Sequence, residues 1–123
     1  VEIVKEAIIN AYSNARLNNI TNAKYYVDDA SKFIINYSKE NKADVVFVDP
    51  PRSGLDKKFV DTLLISKASR VVYVSCDPSS LARDLKMLKE GYEIESIQPV
   101  DMFPNTYHVE TVVSMIRKHI NEK

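Results

Sequence analysis

The sequence predicts an α/β fold, a mostly parallel sheet covered by helices and ending in an antiparallel strand pair. Three observations predict it. Ala43 to Val48 and Val71 to Val74 are short, β-branched apolar runs with the character of buried strands. Segments with apolar residues at helical spacing alternate with such runs along the chain. The last two strand-like runs have no helix between them, so they must pair as an antiparallel, hairpin-like unit.

The elements follow in order. Val1-Glu2-Ile3-Val4 reads as the end of a strand. Lys5 to Leu17 carries Ala7, Ile8, Ala11, Tyr12 and Ala15 at helical spacing, with Asn18-Asn19 as a left-handed stop. Lys24 to Val27 reads as a short strand. Asp28-Asp29-Ala30-Ser31 then opens a helix from Lys32 to about Lys39, its acids placed where the dipole favours them. Ala43 to Val48 is the clearest strand, and Lys57 to Ser66 is helical with Phe59, Val60, Leu63 and Leu64 inward. Val71 to Val74 leads through Ser75-Cys76-Asp77-Pro78 into a helix that runs to Glu90 and stops at Gly91. Tyr92 to Val100 and Thr111 to Ile116 are the final strands. A parallel sheet with this ending is the architecture of Rossmann-like methyltransferases.

Composition narrows the function classes. A chain of 123 residues, 45% hydrophobic and 28% charged, suits one domain with a modest core. Acidic and basic residues balance at 17 each, so a polyanion must be met by a local basic patch. One cysteine excludes an internal disulfide and leaves no zinc-ligand cluster, which fits a reducing cytoplasm. No metal is expected. No apolar run approaches the ~20 residues of a membrane span, and no secretory leader is visible. Two glycines, Gly54 and Gly91, are few for a nucleotide-binding domain.

Four stretches carry possible chemistry. Cys76 stands between the end of a strand and the start of a helix, where open α/β sheets bind ligands and the helix dipole favours a thiolate; its plainer reading is a small core residue. Asp49-Pro50-Pro51-Arg52 forms a rigid loop at a strand end, because Pro51 forces Pro50 to be extended and the pair lacks backbone donors. Its carboxylate can accept from a substrate, and Arg52 offers planar donors to a phosphate or base edge; a turn with a surface arginine is the alternative. Glu2 and Asp29 end earlier strands, where acids commonly hold ribose hydroxyls or an adenine amine, or serve only as solvated or capping acids. His108 and Glu110 share one face of an extended segment, and Glu110 has the position of a general base; a packed histidine and an edge-strand charge are the bland readings.

VDPPRSGL, YVSCDPSSLARDL and DMFPNTYHVE occur here in that order. Together they resemble the catalytic domain of S-adenosylmethionine-dependent RNA uracil-5-methyltransferases, and the opening VEIVKEAIINAYSNARLNNITNAKYYVDDA is similar to the segment after that family's first cofactor loop. The resemblance covers nearly all of residues 1–123, which are expected to be part of one such catalytic domain. SCDPSS departs from the family's commoner SCNPxT by Asp77 and Ser80. The resemblance implies that Cys76 is the nucleophile adding to uracil C6 and that Glu110 removes the C5 proton. It implies that Glu2, Asp29 and Asp49 hold S-adenosylmethionine or its junction with the substrate. Pro50, Arg52 and His108 are expected at the substrate, Arg52 on its own chemistry as electrostatic support. The implied partner is ribosomal or transfer RNA.

The family's first strand and glycine loop are not seen, so the chain is expected to be a C-terminal piece that alone is inactive and binds cofactor weakly or not at all. In the family strand order 3-2-1-4-5-7-6, a missing first strand leaves a gap. Glu2 and Lys24–Val27 are then expected either to close up against Ala43–Val48 or to be paired by another copy, giving a homo-oligomer. Two other functions fit less of the chain. A methyltransferase of base amino groups also uses a DPP-type loop but needs no nucleophilic cysteine. A non-catalytic RNA- or protein-interaction module fits the fold, though neutral charge and the lack of an aromatic-basic platform disfavour free-standing RNA binding.

Overall fold

The computed structural model describes residues 1–102, 105 and 109–119. Its elements are α1 (Lys5–Leu17), α2 (Ala30–Glu40), β1 (Val45–Val48), α3 (Lys57–Ser66), β2 (Arg70–Ser75), α4 (Pro78–Leu88), β3 (Tyr92–Val100) and β4 (Glu110–Arg117). Among the described residues they form a four-stranded sheet in the order β1-β2-β4-β3. β1 and β2 are parallel, whereas β4 runs antiparallel to both β2 and β3. This is the order of the last four positions in the expected seven-strand arrangement, with the antiparallel pair where the missing crossover helix requires it.

Three of the four described helices start at an aspartate cap, whereas α1 starts after Val4 without a side-chain cap. Asp29, Asp56 and Asp77 precede α2, α3 and α4, and their carboxylates accept from the N–H of Lys32, Phe59 and Ser80 respectively. Pro78 occupies the first turn of α4, where a missing N–H costs nothing. α1 stops with Asn19 left-handed at φ 55°, as the Asn-Asn pair suggests. Gly91 is a different case from the helix stop expected of it. α4 ends at Leu88, and Gly91 has no left-handed φ. What Gly91 provides is room, since a Cβ there would lie 2.9 Å from Leu64 Cδ2.

The core lies between one face of the sheet and helices α2, α3 and α4. Val48, Val71, Tyr73, Val113 and Met115 meet Ile34, Phe59, Val60, Leu63, Leu81, Leu85 and Leu88 there. The strict alternation of burial along β2 and β4 aims every second side chain at this layer. Tyr92 joins it from β3, its single hydroxyl proton facing the carbonyls of Ala68 at 2.9 Å and Leu63 at 3.2 Å. On the other face of β1, Phe47 remains 73% exposed.

The expected strands at Val1–Val4 and Lys24–Val27 shrink to one parallel bridge between Glu2 and Val27. Glu2 N–H donates to Tyr26 O at 3.0 Å and Asp28 N–H to Glu2 O at 3.1 Å. Glu2 alone is thus bonded on both sides, and the closing-up against Ala43–Val48 does not occur: within the described sheet β1 pairs with β2 alone.

Candidate active site

Register decides which of the singled-out residues meet. Val48 lies opposite Tyr73, Ser75 opposite Thr111, and Val100 opposite Glu110. Asp49 thus leaves the sheet beside the end of β2. Cys76 follows Ser75 and Glu110 precedes Thr111, so each is the chain neighbour of the last residue pair of the β2–β4 ladder. Both side chains are half-buried. A carboxyl-end loop, a cysteine and a glutamate from three strands therefore share one end of the sheet.

The turn at Cys76 is held by its neighbours. Ser75 Oγ donates to Asp77 O at 2.9 Å and accepts from Asp77 N–H at 3.1 Å. The Ser80 N–H reaches Asp77 Oδ2 at 2.9 Å. Backbone and hydroxyl donors of Ser80, then the charges of Arg52 and Arg83, hold the Asp77 carboxyl below the usual carboxylate range. Arg52 consequently lies within electrostatic reach of the turn that carries Cys76.

The Asp49–Leu55 loop is fastened to α4. Gly54 N–H closes a turn onto Pro51 O at 2.8 Å, with Gly54 at φ +79°. Asp84, 0% exposed, accepts from Leu55 N–H at 2.8 Å and Tyr73 Oη at 2.6 Å through Oδ2. Its Oδ1 accepts from Arg83 Nε and Nη2 at 3.2 and 3.1 Å. Arg83 Nη2 also donates to Ser53 O. Burial first, then the bond to Asp84, pushes the Tyr73 phenol well above its ordinary range, so it remains a donor at neutral pH. The sequence reading missed this cluster. Its signal was an acid on the apolar stripe Leu81, Leu85, Leu88.

The remaining acids form a second corner. Glu2 Oε1 accepts from Val4 N–H at 3.2 Å, Asp28 Oδ1 from Asp29 N–H at 2.8 Å, and Asp29 Oδ1 from Lys32 N–H at 3.1 Å. The Glu2–Val27 bridge sets Glu2 and Asp28-Asp29 together. Ser31 Oγ donates to Asp56 Oδ2 at 2.6 Å, which ties this corner to the segment after the Asp49–Leu55 loop. Asp29 is thus in part a helix cap, yet a carboxylate accepts at several lone pairs. Acceptor-only side chains suit the hydroxyls of a ribose and the amine of an adenine. His108 lies outside the described residues. Among the described residues no cluster of three or more His, Cys, Asp or Glu side chains is arranged to hold a metal ion, and no helix is long and apolar enough to cross a membrane. A groove lined by Ser38, Lys39, Thr62, Ile65 and Lys67 lies at the carboxyl ends of α2 and α3, at the other end of the sheet.

Comparison with known proteins bears on the family and the fold. The profile of the tRNA (uracil-5-)-methyltransferase family matches residues 1–118. An uncharacterized RNA methyltransferase of Bacillus cereus is 49% identical over 119 residues, 96% of this chain and 26% of that protein. One of Halalkalibacterium halodurans is 50% identical over 121 residues, 97% of this chain and 26% of that protein. The chain thus spans about a quarter of the length of the curated relatives it matches. The crystal structure of Pyrococcus abyssi tRNA (uracil-54, C5)-methyltransferase with S-adenosyl-L-homocysteine superposes with a TM-score of 0.76 at 38% identity, covering 93% of this chain and 27% of that one. M1.HpyAVI in complex with SAM shares the fold at a TM-score of 0.61 and 17% identity, covering 80% of this chain and 55% of that one.

Proposed function

This chain belongs to the tRNA (uracil-5-)-methyltransferase family, and we propose that the protein carrying it methylates carbon 5 of a uridine in RNA through a covalent cysteine adduct. The observation that supports the reading is the Ser75–Thr111 pair that ends the β2–β4 ladder, since Cys76 follows one member and Glu110 precedes the other. Carbon 5 of uracil is too weak a nucleophile to take a methyl group unaided. The Cys76 thiolate adds to C6, forming an S–C6 bond and moving the electron pair of the C5–C6 double bond into an enolate. S-adenosylmethionine, when bound, would supply the methyl group that C5 takes, its cationic sulfonium becoming a neutral leaving thioether. Glu110 then takes the C5 proton, the C5–C6 double bond re-forms, and the S–C6 bond breaks to return the thiolate.

Around this pair, Asp49 stands where cofactor and base would meet, and Pro50 keeps its loop rigid. Arg52 supports the developing charge on the uracil or a flanking phosphate. Glu2 and Asp29 accept from the ribose hydroxyls and adenine amine of the cofactor. His108 is assigned to the substrate on the motif alone. The target uridine must leave its stack, at a cost of a few kcal/mol unless it already lies in a loop. The substrate is ribosomal or transfer RNA, which puts the protein in the cytoplasm.

Replacing Cys76 tests the reading directly. In the full-length protein, Cys76→Ala is expected to abolish both methyl transfer and the stable complex with RNA containing 5-fluorouridine. Methyl transfer retained by that variant would end the covalent mechanism.

A further inference from the structure

We propose that Asp84 is a positioning residue of the methyl-transfer site: with Tyr73 and Arg83 it holds the Asp49–Leu55 loop against the helix whose start carries Cys76. The proposal rests on the function proposed above, since it takes that loop and that turn as two walls of one site.

Asp84 is a charged residue on an otherwise apolar stripe. α4 buries Leu81, Leu85 and Leu88, and Asp84 sits in the same stripe at 0% exposure. Burying a carboxylate is costly, and replacing buried ionic groups by well-packed apolar ones is often neutral or stabilising. What the carboxylate does here is join three pieces of chain. Oδ2 holds the loop through Leu55 N–H and the sheet through the Tyr73 hydroxyl, three residues before Cys76. Oδ1 orients Arg83, whose Nη2 reaches back to Ser53 O and, at 3.4 Å, Leu55 O. The approach is so close that only a glycine fits at position 54, whose added Cβ would lie 2.5 Å from Asp84 Oδ2. The first turn of α4 thus fixes the cysteine and its second turn fixes the loop bearing Asp49 and Arg52. A small error in such a spacing is enough to cost reaction rate.

The test uses the full-length protein with Asp84→Asn and Arg83→Met. Hydrogen exchange is followed over residues 49–56, and methyl transfer is measured on substrate RNA. Exchange over 49–56 should rise about tenfold or more while β2 and α4 keep their protection. kcat should fall about 10- to 100-fold, with KM for RNA within about threefold of the wild type. Arg83 is half-exposed, so its variant decides alone should Asp84→Asn not fold. Unchanged exchange over 49–56 overturns the proposal. So does a loss of protection spread equally through β2 and α4, or a loosened loop with kcat intact. A wild-type protein that fails to trap 5-fluorouridine RNA, with the loop still loosened in the variants, refutes the proposed function and leaves the loop–helix coupling standing.

Discussion

Gly54→Ala is a demanding test of the loop packing, because two separate penalties meet at one atom. Gly54 has φ +79°, a left-handed conformation that costs an L-residue with a Cβ about 1–2 kcal/mol. The new methyl would also lie 2.5 Å from Asp84 Oδ2, 2.6 Å from Arg83 Nη2 and 3.0 Å from Ser80 Cβ. Asp84 is fully buried and bonded on both oxygens, so relief must come from the loop moving away. That breaks the Leu55 N–H bond to a charged acceptor, worth about 1.5–3 kcal/mol. Together the change should cost about 2.5–5 kcal/mol, read as a fall in the urea midpoint with the m-value unchanged. Gly91→Ala is the control. Its φ is not left-handed, and its Cβ would meet only the flexible end of Leu64 at 2.9 Å, so the loss should stay below about 1 kcal/mol. A Gly54→Ala loss no larger than that of the control would refute the reasoning, for it would mean that the loop relaxes freely.

Other consequences are open to measurement. Leu63→Ala empties a side chain that is 0% exposed at the centre of the core and should cost about 2–5 kcal/mol by urea denaturation; a loss under 1 kcal/mol would contradict the packing described. Asp56 is held below the usual carboxylate range by the Ser31 hydroxyl first, then by the Phe59 N–H. A carboxyl depressed in the folded state stabilises above its unfolded value, near 3.9, and that contribution is lost as pH falls through the lower folded value. Ser31→Ala should therefore be less stable than wild type at neutral pH, with the gap closing on acidification below about pH 4; a gap independent of pH would remove Ser31 as the cause.

The parts of the fold that were legible in the sequence are those fixed by local chemistry. α1 and α3 begin and end where apolar spacing and polar stops put them, and the Asp77-Pro78 start of α4 is written in two residues. β3 and β4 could be paired because nothing helical separates them. Less legible was whatever depends on partners distant in sequence. Lys24–Val27 looks like a strand by composition, but a strand needs a neighbour along its length, and only Val27 finds one. Asp29 reads from the sequence as either a ligand-binding or a capping acid, and only the structure shows its bond to Lys32 N–H. The Asp84 cluster was hidden for the same reason: its meaning comes from Leu55 and Tyr73, 29 and 11 residues away. At the candidate site the motifs single out Cys76 and Glu110, and what they could not show is the β2–β4 pairing that sets the end of β2 beside the start of β4.

The most direct test of that convergence is the covalent intermediate itself. Full-length protein bearing Glu110→Gln is incubated with S-adenosylmethionine and ordinary uridine-containing RNA, digested, and the cross-linked peptide mapped by mass spectrometry. If the glutamate strips the C5 proton from an adduct on the neighbouring sulfur, a methylated uridine should accumulate on Cys76 to levels the wild type never shows. An adduct level equal to that of the wild type, or a cross-link at any residue other than Cys76, would contradict the account.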